Sequence, residues 1–114
     1  MGGPDSLSDR YEAAHQQYIE YEDGATQADA VKAGEAMKAA GVLTGSHPMD
    51  MKLARTGKRG FALSFVVNAE NAAKQDMQEG FRDVGVKVTA ALSEPVEVRL
   101  CDDDWTPRVT LKAP

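Results

Sequence analysis

Cysteine is nearly absent from this chain of 114 residues, in which Cys101 is the only one. One thiol has no intrachain partner, so no disulfide within the chain can brace the fold. Proteins without disulfides are typical of reducing compartments. The composition therefore predicts a cytoplasmic protein whose stability comes from its hydrophobic core.

Long hydrophobic runs are absent as well. No segment approaches the roughly 18 apolar residues that span a bilayer, and the N-terminus does not show the basic-then-apolar pattern of a signal peptide. Aromatic residues make up 6% of the chain and hydrophobic residues 42%, so a core would rely on Ala, Val, Leu and Met. The length fits one domain, and we predict a single α+β domain over residues 1–114 with a flexible N-terminus at 1–6.

The residues that carry most enzyme chemistry are scarce. There are two histidines, and the sequence has no C-x-x-C, H-E-x-x-H, G-x-G-x-x-G or P-loop motif. We expect His15 to be a partly buried helix residue and His47 a surface loop residue. Three aspartates follow Cys101 directly, which disfavours its thiolate form and therefore a nucleophilic role. The sequence predicts a protein that is not an enzyme and that uses no cofactor or metal.

The clearest pattern is a strand, a helix and a second strand. Hydrophobic residues alternate with smaller ones over 61–67, which predicts a half-buried strand. Asn68 occupies the position of a helix N-cap, and the spacing over 69–84 is helical. Gly85 is expected to end that helix in a left-handed conformation. Alternation resumes over 86–90, which predicts a further strand.

The same periodicities predict the remaining elements, which are helices over 7–22 and between Thr26 and Gly41 and strands over 49–56, over 96–101 and at Val109 and Leu111. The order α-α-β-β-α-β-β-β contains most of the split β-α-β arrangement of ferredoxin-like folds. We therefore expect a two-layer sandwich, a ferredoxin-like variant whose antiparallel sheet of four or five strands carries helices mainly on one face. Its core is predicted to include Leu63, Phe65, Met77, Phe81 and Val88.

Charge is distributed unevenly along the chain. The formal net charge is −5, yet the stretch 51–60 contains basic residues and no acidic ones. A hairpin turn is predicted there because the stretch contains two glycines. Its cations form a candidate surface for an acidic partner: Lys52, Arg55, Lys58 and Arg59. The alternative is a solvated turn without a binding role. The acidic balance and the lack of aromatic residues among these cations argue against nucleic acid as the partner.

The C-terminal third is the acidic end of the chain. Its candidate residues for binding a basic partner combine carboxylates with the only tryptophan: Glu97, Asp102, Asp103, Asp104 and Trp105. Tryptophan is enriched where proteins bind each other, although a tryptophan in a turn can also cap the edge of a core. Tyr11, Tyr18 and Tyr21 fall on one face of the predicted first helix. They either pack that helix onto the sheet or form a self-association surface in a homodimer.

Part of the second half of the chain resembles a known family. Asn68–Glu70, Gly85–Val88 and Val96–Cys101 are loosely similar to one half of the acidic bacterial inhibitors of ribonuclease E. The similarity covers less than a third of the chain, and the Gly-Trp ending of that family is absent, since Trp105 follows Asp104. This resemblance implies an acidic regulator of an RNA enzyme.

Together these patterns predict a small acidic protein, without enzymatic activity, that binds another macromolecule in the cytoplasm. It would act as a regulator, adaptor or inhibitor of a partner protein, with no membrane involvement. Two alternatives stay open: a small-molecule-binding ferredoxin-like domain, and an acidic regulator of a nucleic-acid enzyme. A flat charged or aromatic face would favour the binding protein, whereas a concave site with a perturbed pKa would favour an enzyme.

Overall fold

Six strands lie side by side in the order in which they occur along the chain. The computed structural model describes residues 9–46 and 48–112. The strands in this part of the chain are β1 (Arg10–Ala14), β2 (Gln17–Glu22), β3 (Met49–Arg55), β4 (Phe61–Val66), β5 (Val96–Cys101) and β6 (Pro107–Lys112). The helices are α1 (Gln27–Ala39), α2 (Ala69–Ala72) and α3 (Gln75–Leu92).

The sheet consists of three antiparallel hairpins joined by two parallel pairings. The hairpins are β1–β2, β3–β4 and β5–β6, whereas β2 pairs with β3 and β4 with β5 in parallel. Parallel neighbours require a crossover, and α1 and the α2–α3 segment provide the two crossovers. The expectation of helices on one face of a single sheet is confirmed. The expectation of four or five antiparallel strands is wrong.

The ferredoxin-like arrangement is also not the one observed. In a split β-α-β unit, the two strands joined by a helix have another strand between them. Here the strands joined by a helix are direct neighbours in the sheet. Strands β1 and β2, which the prediction did not include, form the N-terminal hairpin at one edge of the sheet.

Within residues 9–22, the described part of the helix predicted over 7–22, the structure forms this N-terminal hairpin instead, so the predicted helix is wrong. Gln16 has a φ of 58°, the left-handed geometry of a tight turn, and its amide donates a hydrogen bond to Glu12 (2.9 Å). Beyond the turn, the buried residues Gln17 and Ile19 alternate with half-buried ones, which is the period of a strand. The tyrosine spacing fits a helix, but the burial follows the period of two.

Helix α3 continues through the segment where a strand was predicted. Gly85 does not end it, since the helix runs to Leu92 and its C-cap is Ser93, with a φ of 61°. A Cβ atom on Gly85 would lie 3.1 Å from Val98 Cγ2, so the glycine lets α3 lie close to β5. The strand predicted over 86–90 is therefore wrong. The buried residues of α3 are instead at helical spacing: Val84, Gly85, Val88 and Leu92.

The core lies between the helices and one face of the sheet. Leu63, Phe65 and Val88 are buried, as predicted. Phe81 is half-buried, and the centroid of its ring lies 4.8 Å from that of Phe65. Met77 is half-buried and lines an apolar groove between α3 and the end of α1. No helix among the residues that the structure describes is long and apolar enough to cross a membrane.

Candidate functional site

The face of the sheet opposite the helices presents polar side chains in rows across the strands. The strand registers place one row of residues side by side: Arg10, Glu20, Lys52, Ser64, Arg99 and Thr110. Lys52 Nζ lies 3.8 Å from Glu20 Oε1, and Arg99 Nε lies 2.6 Å from Glu97 Oε2. Ion pairs within the chain therefore neutralise much of this uncovered face, as is typical of a solvated sheet surface.

The structure divides the predicted basic cluster between the two sides of the sheet. Lys52 lies on the uncovered face, whereas Arg55, three residues further along β3, lies on the helix-bearing side. The Arg55 guanidinium donates hydrogen bonds to both carboxylate oxygens of Glu94 (2.9 and 3.1 Å) and lies over the ring of Phe61. Glu94 also accepts a hydrogen bond from the Gly60 amide (2.9 Å). Arg55 thus fastens the β3–β4 turn to the connection between α3 and β5.

This pairing shifts the ionisation of both partners. Hydrogen bonds from the Arg55 guanidinium and then from the Gly60 amide lower the pKa of Glu94 to about 2. The same interaction with Glu94 raises the pKa of Arg55. Both groups are ionised at neutral pH and engaged with each other, so Arg55 acts as a structural residue in the folded chain.

Lys58 and Arg59 are the two cations that remain free at the β3–β4 turn. Both are exposed, and neither has an ion-pair partner in the described part of the chain. Arg59 lines a shallow pocket of about 250 Å³ together with Glu97 and Lys112. Glu97 is therefore at the same end of the sheet as the basic turn. Glu97 is therefore separated from Asp102, Asp103 and Asp104, with which it was predicted to form one acidic surface.

The turn between β5 and β6 is organised by Asp102. Its Oδ1 accepts hydrogen bonds from the amides of Asp104 (2.9 Å) and Thr106 (3.0 Å), and its Oδ2 lies 3.7 Å from Arg108 Nη2. The Trp105 amide donates to the carbonyl of Asp102 (2.9 Å). These contacts hold Trp105 at a φ of 64°, a conformation that is rare for a bulky residue. Asp102 thus positions the tryptophan ring.

A groove of about 520 Å³ lies beside the Trp105 ring, and we call it the Trp105 groove. Its lining combines apolar and acidic side chains: Pro48, Met49, Asp50, Val66, Asp103 and Trp105. Val66 is an unusually exposed large hydrophobic residue, at 44%. Within residues 9–46 and 48–112, Asp50 and Asp103 have no ion-pair partner. An aromatic ring, an exposed valine and two free carboxylates suit a cationic side chain with an apolar stem.

A second groove lies on the other side of the same turn, with a volume of about 370 Å³. Asp103 contributes to both grooves, whereas Asp102 and Asp104 line only the second. The second groove contains its own cation, because Arg108 also lines it. The Lys52 ammonium lies over the Trp105 ring, but it also forms an ion pair with Glu20. The Trp105 groove is therefore the better place for a cation from outside the chain.

The three tyrosines do not share a surface. Tyr11 and Tyr21 pack against the core, whereas Tyr18 lies on the uncovered face with the Arg10 guanidinium 4.2 Å from its ring centroid. The predicted helix that aligned them is a hairpin, whose successive side chains point to opposite faces. His15 is exposed in the β1–β2 turn rather than partly buried in a helix. His47 lies outside the described residues.

Cys101 is buried, and its thiol donates to the carbonyl of Arg99 (3.8 Å). Burial raises the pKa of this thiol, which keeps it protonated at neutral pH and makes it a poor nucleophile. In the part of the chain that the structure describes, no group of three or more His, Cys, Asp or Glu residues could hold a metal ion.

The sequence predicted one wall of the Trp105 groove and missed the other. Asp103 and Trp105 were expected at a binding surface, whereas Met49, Asp50 and Val66 were not. Alternation along β3 placed Asp50 on the same face as Lys52, but nothing local to the sequence brings β3 close to the β5–β6 turn. That approach depends on the order of the strands. Comparison of the chain with protein-family models, with curated proteins and with solved structures finds no match.

Proposed function

We propose that this protein binds a basic segment of a partner protein in the Trp105 groove. It would act by binding, as a regulator, adaptor or inhibitor, rather than as an enzyme. The observation that carries the proposal is the pair of free carboxylates, Asp50 and Asp103, beside the Trp105 ring and the exposed Val66. A lysine or arginine side chain would find opposite charge, an aromatic face and apolar surface for its stem in one place.

The energetics favour such a ligand. A cation over an exposed tryptophan gains about 0.5–1 kcal/mol, and about 2 kcal/mol once water is excluded. The net charge of −5 adds a long-range attraction that accelerates encounter with a basic partner. A nucleic-acid-processing enzyme is one class of partner with such basic segments, because its substrate-binding surface is positively charged.

We propose a reducing compartment such as the cytoplasm as the location of this protein. Two further observations support a binding role over a catalytic one. The single cysteine is buried, and its pKa is raised, so it does not supply a reactive thiolate. Among the described residues that line the Trp105 groove, Asp50 and Asp103 are the charged ones. No histidine, serine or cysteine stands among these lining residues to act with them as a base or nucleophile.

The single tryptophan provides a direct test, because all tryptophan fluorescence of the protein comes from Trp105. A nine-residue peptide of alternating arginine and leucine should produce a saturable change in this emission. The same peptide with glutamine in place of arginine should not. Added salt should weaken the binding, since exposed ion pairs are screened.

A pair of double variants separates the groove from general charge attraction. Asp50→Asn with Asp103→Asn should weaken peptide binding about tenfold, because both free carboxylates are lost. Glu70→Gln with Glu79→Gln makes the same change in net charge on α2 and α3 and should leave the affinity nearly unchanged. If the two double variants weaken binding equally, the attraction is not located in the groove and the proposal fails.

A further inference from the structure

The chain itself contains a segment that fits the Trp105 groove. Lys58 and Arg59 are the only two adjacent basic residues in the sequence, and both are exposed at the tip of the β3–β4 turn. Gly57 and Gly60 flank them with φ values of 144° and 104°. Because the flanking residues have no side chains, the turn presents two cations with little steric hindrance.

This basic turn cannot reach the groove of its own chain. Strand β4 begins beside the turn at Phe61 and ends at Val66, which lines the groove. Six residues of extended strand place about 20 Å between the two regions. Contact between the basic turn and the groove therefore requires a second molecule.

We propose that two copies of this chain associate head to tail, with the Lys58–Arg59 turn of one copy in the Trp105 groove of the other. The inference rests on the proposed function, because it uses the same groove and names the partner as a second copy. Its support is charge complementarity. Among the described residues, the Asp50 and Asp103 carboxylates have no ion-pair partner, and neither do the Lys58 and Arg59 cations that would meet them. Each contact also places an arginine or lysine beside the Trp105 ring.

Pairing of sheet edges is the competing route to self-association, and both edges are poorly suited to it. The edge strand β6 begins with Pro107, which has no N–H to donate, and carries the charged residues Arg108 and Lys112. The other edge strand, β1, has an irregular register between Glu12 and Ala14. Proline, charge and bulges on edge strands discourage strand-to-strand association.

Head-to-tail contact has a distinctive consequence. Each dimer keeps one unused groove and one unused turn, so association continues beyond the dimer as concentration rises, unless the rotation between copies closes a ring. Because exposed charges make the contact, raising the salt concentration to about 0.5 M should weaken it about tenfold.

Sedimentation velocity on the full chain tests the proposal with complementary variants. Lys58→Gln with Arg59→Gln removes the basic turn, and Asp50→Asn with Asp103→Asn removes the acidic groove. Each double variant alone should be a monomer under conditions where the wild type associates. An equimolar mixture should form a one-to-one dimer and stop there, because one intact turn and one intact groove remain in each pair. Lys32→Gln with Arg82→Gln, which changes the same charge on α1 and α3, should associate like the wild type.

Several results would overturn the proposal. The wild type could stay monomeric up to about millimolar concentration. Its association could prove insensitive to salt. The mixture of the two double variants could also stay monomeric. Circular dichroism should first establish that both variants are folded, and the salt dependence of the wild type provides a test that needs no variant. If the arginine peptide still binds at Trp105 while the wild type is monomeric, the self-association fails and the proposed function stands. If neither occurs, both fail.

Discussion

The ammonium of Lys52 lies 4.7 Å from the centroid of the Trp105 ring and so joins the two oppositely charged regions of the sequence. Lys52 comes from the basic stretch at 51–60, and Trp105 follows the three consecutive aspartates. The same ammonium lies 3.8 Å from Glu20 Oε1. Lys52 therefore supplies part of the positive charge that a ligand would bring to the groove.

Replacing Lys52 with methionine should tighten the binding of a basic peptide. Lys52→Met keeps much of the apolar stem but removes a positive charge beside the groove. An exposed cation–π contact amounts to about 0.5–1 kcal/mol, so we expect affinity to rise about two- to fivefold in a Trp105 fluorescence titration. Lys32→Met, on the helix layer, is the control for net charge. Weaker binding by Lys52→Met would mean that Lys52 holds the tryptophan ring in its binding position.

Glu94 should make stability depend on pH in the acid range. Its pKa in the folded chain is about 2, below the ordinary value of 4.5. A lowered carboxylate pKa stabilises the fold fully above the ordinary value, and this contribution is lost as the pH falls towards the folded pKa. Urea unfolding between about pH 6 and about pH 2 should therefore show a smaller loss of stability for Glu94→Gln than for the wild type. Glu22→Gln changes an exposed glutamate and should follow the wild type; parallel curves for all three proteins would contradict the role of Glu94.

Two helix glycines should respond to alanine in opposite directions. A Cβ atom on Gly34 would lie 3.0 Å from Ala13 Cβ and 3.1 Å from Tyr11 Cε2, whereas at Gly80 nothing lies within 4 Å. Gly80→Ala should stabilise the protein by about 0.5–1 kcal/mol through helix propensity. Gly34→Ala gains the same propensity but overpacks the contact with β1, so we expect a net loss of about 1 kcal/mol. Chemical unfolding measures the free energy of unfolding of both variants. Equal changes in this free energy would show that α1 does not lie tightly against β1.

Phe81 should contribute to stability in spite of its partial exposure. Its ring is inclined at 53° to that of Phe65, with the centroids 4.8 Å apart. A fully buried phenylalanine costs about 3–5 kcal/mol when truncated to alanine, so for half-buried Phe81→Ala we expect about 2–3 kcal/mol. Val86→Ala on the exposed side of the same helix should cost less than about 0.5 kcal/mol. A comparable loss for the two variants in urea unfolding would mean that the ring pair adds nothing.

Local chemistry made part of the fold predictable. The start of α1 depends on residues three apart, and both hydrogen bonds of the capping box between Thr26 and Asp29 form, at 3.2 and 3.0 Å. In strands β3, β4 and β5, large hydrophobic residues recur at every second position. Signals of this kind need no knowledge of distant parts of the chain.

The wrong predictions arose where a local sequence pattern is compatible with two different structures. Tyr11, Tyr18 and Tyr21 fit helical spacing, but the residues between them follow the period of a strand. Gly85 has the chemistry of a helix end, and only its approach to Val98 on β5 shows that it serves close packing. The Trp105 groove was half predicted for the same reason: Asp103 and Trp105 are two residues apart in sequence, whereas Asp50 and Val66 join them through strand pairing.

The sequential order of the strands has a consequence for how the chain folds. Each antiparallel hairpin needs contacts between neighbouring segments only, whereas the parallel pairings β2–β3 and β4–β5 must first close loops that contain whole helices. This order predicts that hairpins form early and that the two helix-bridged pairings close late. The Trp105 groove draws its walls from both sides of the β4–β5 pairing. A partly folded chain would therefore display the basic turn before its groove has formed. If copies associate as proposed, mature molecules would bind a newly made chain before that chain can bind in return.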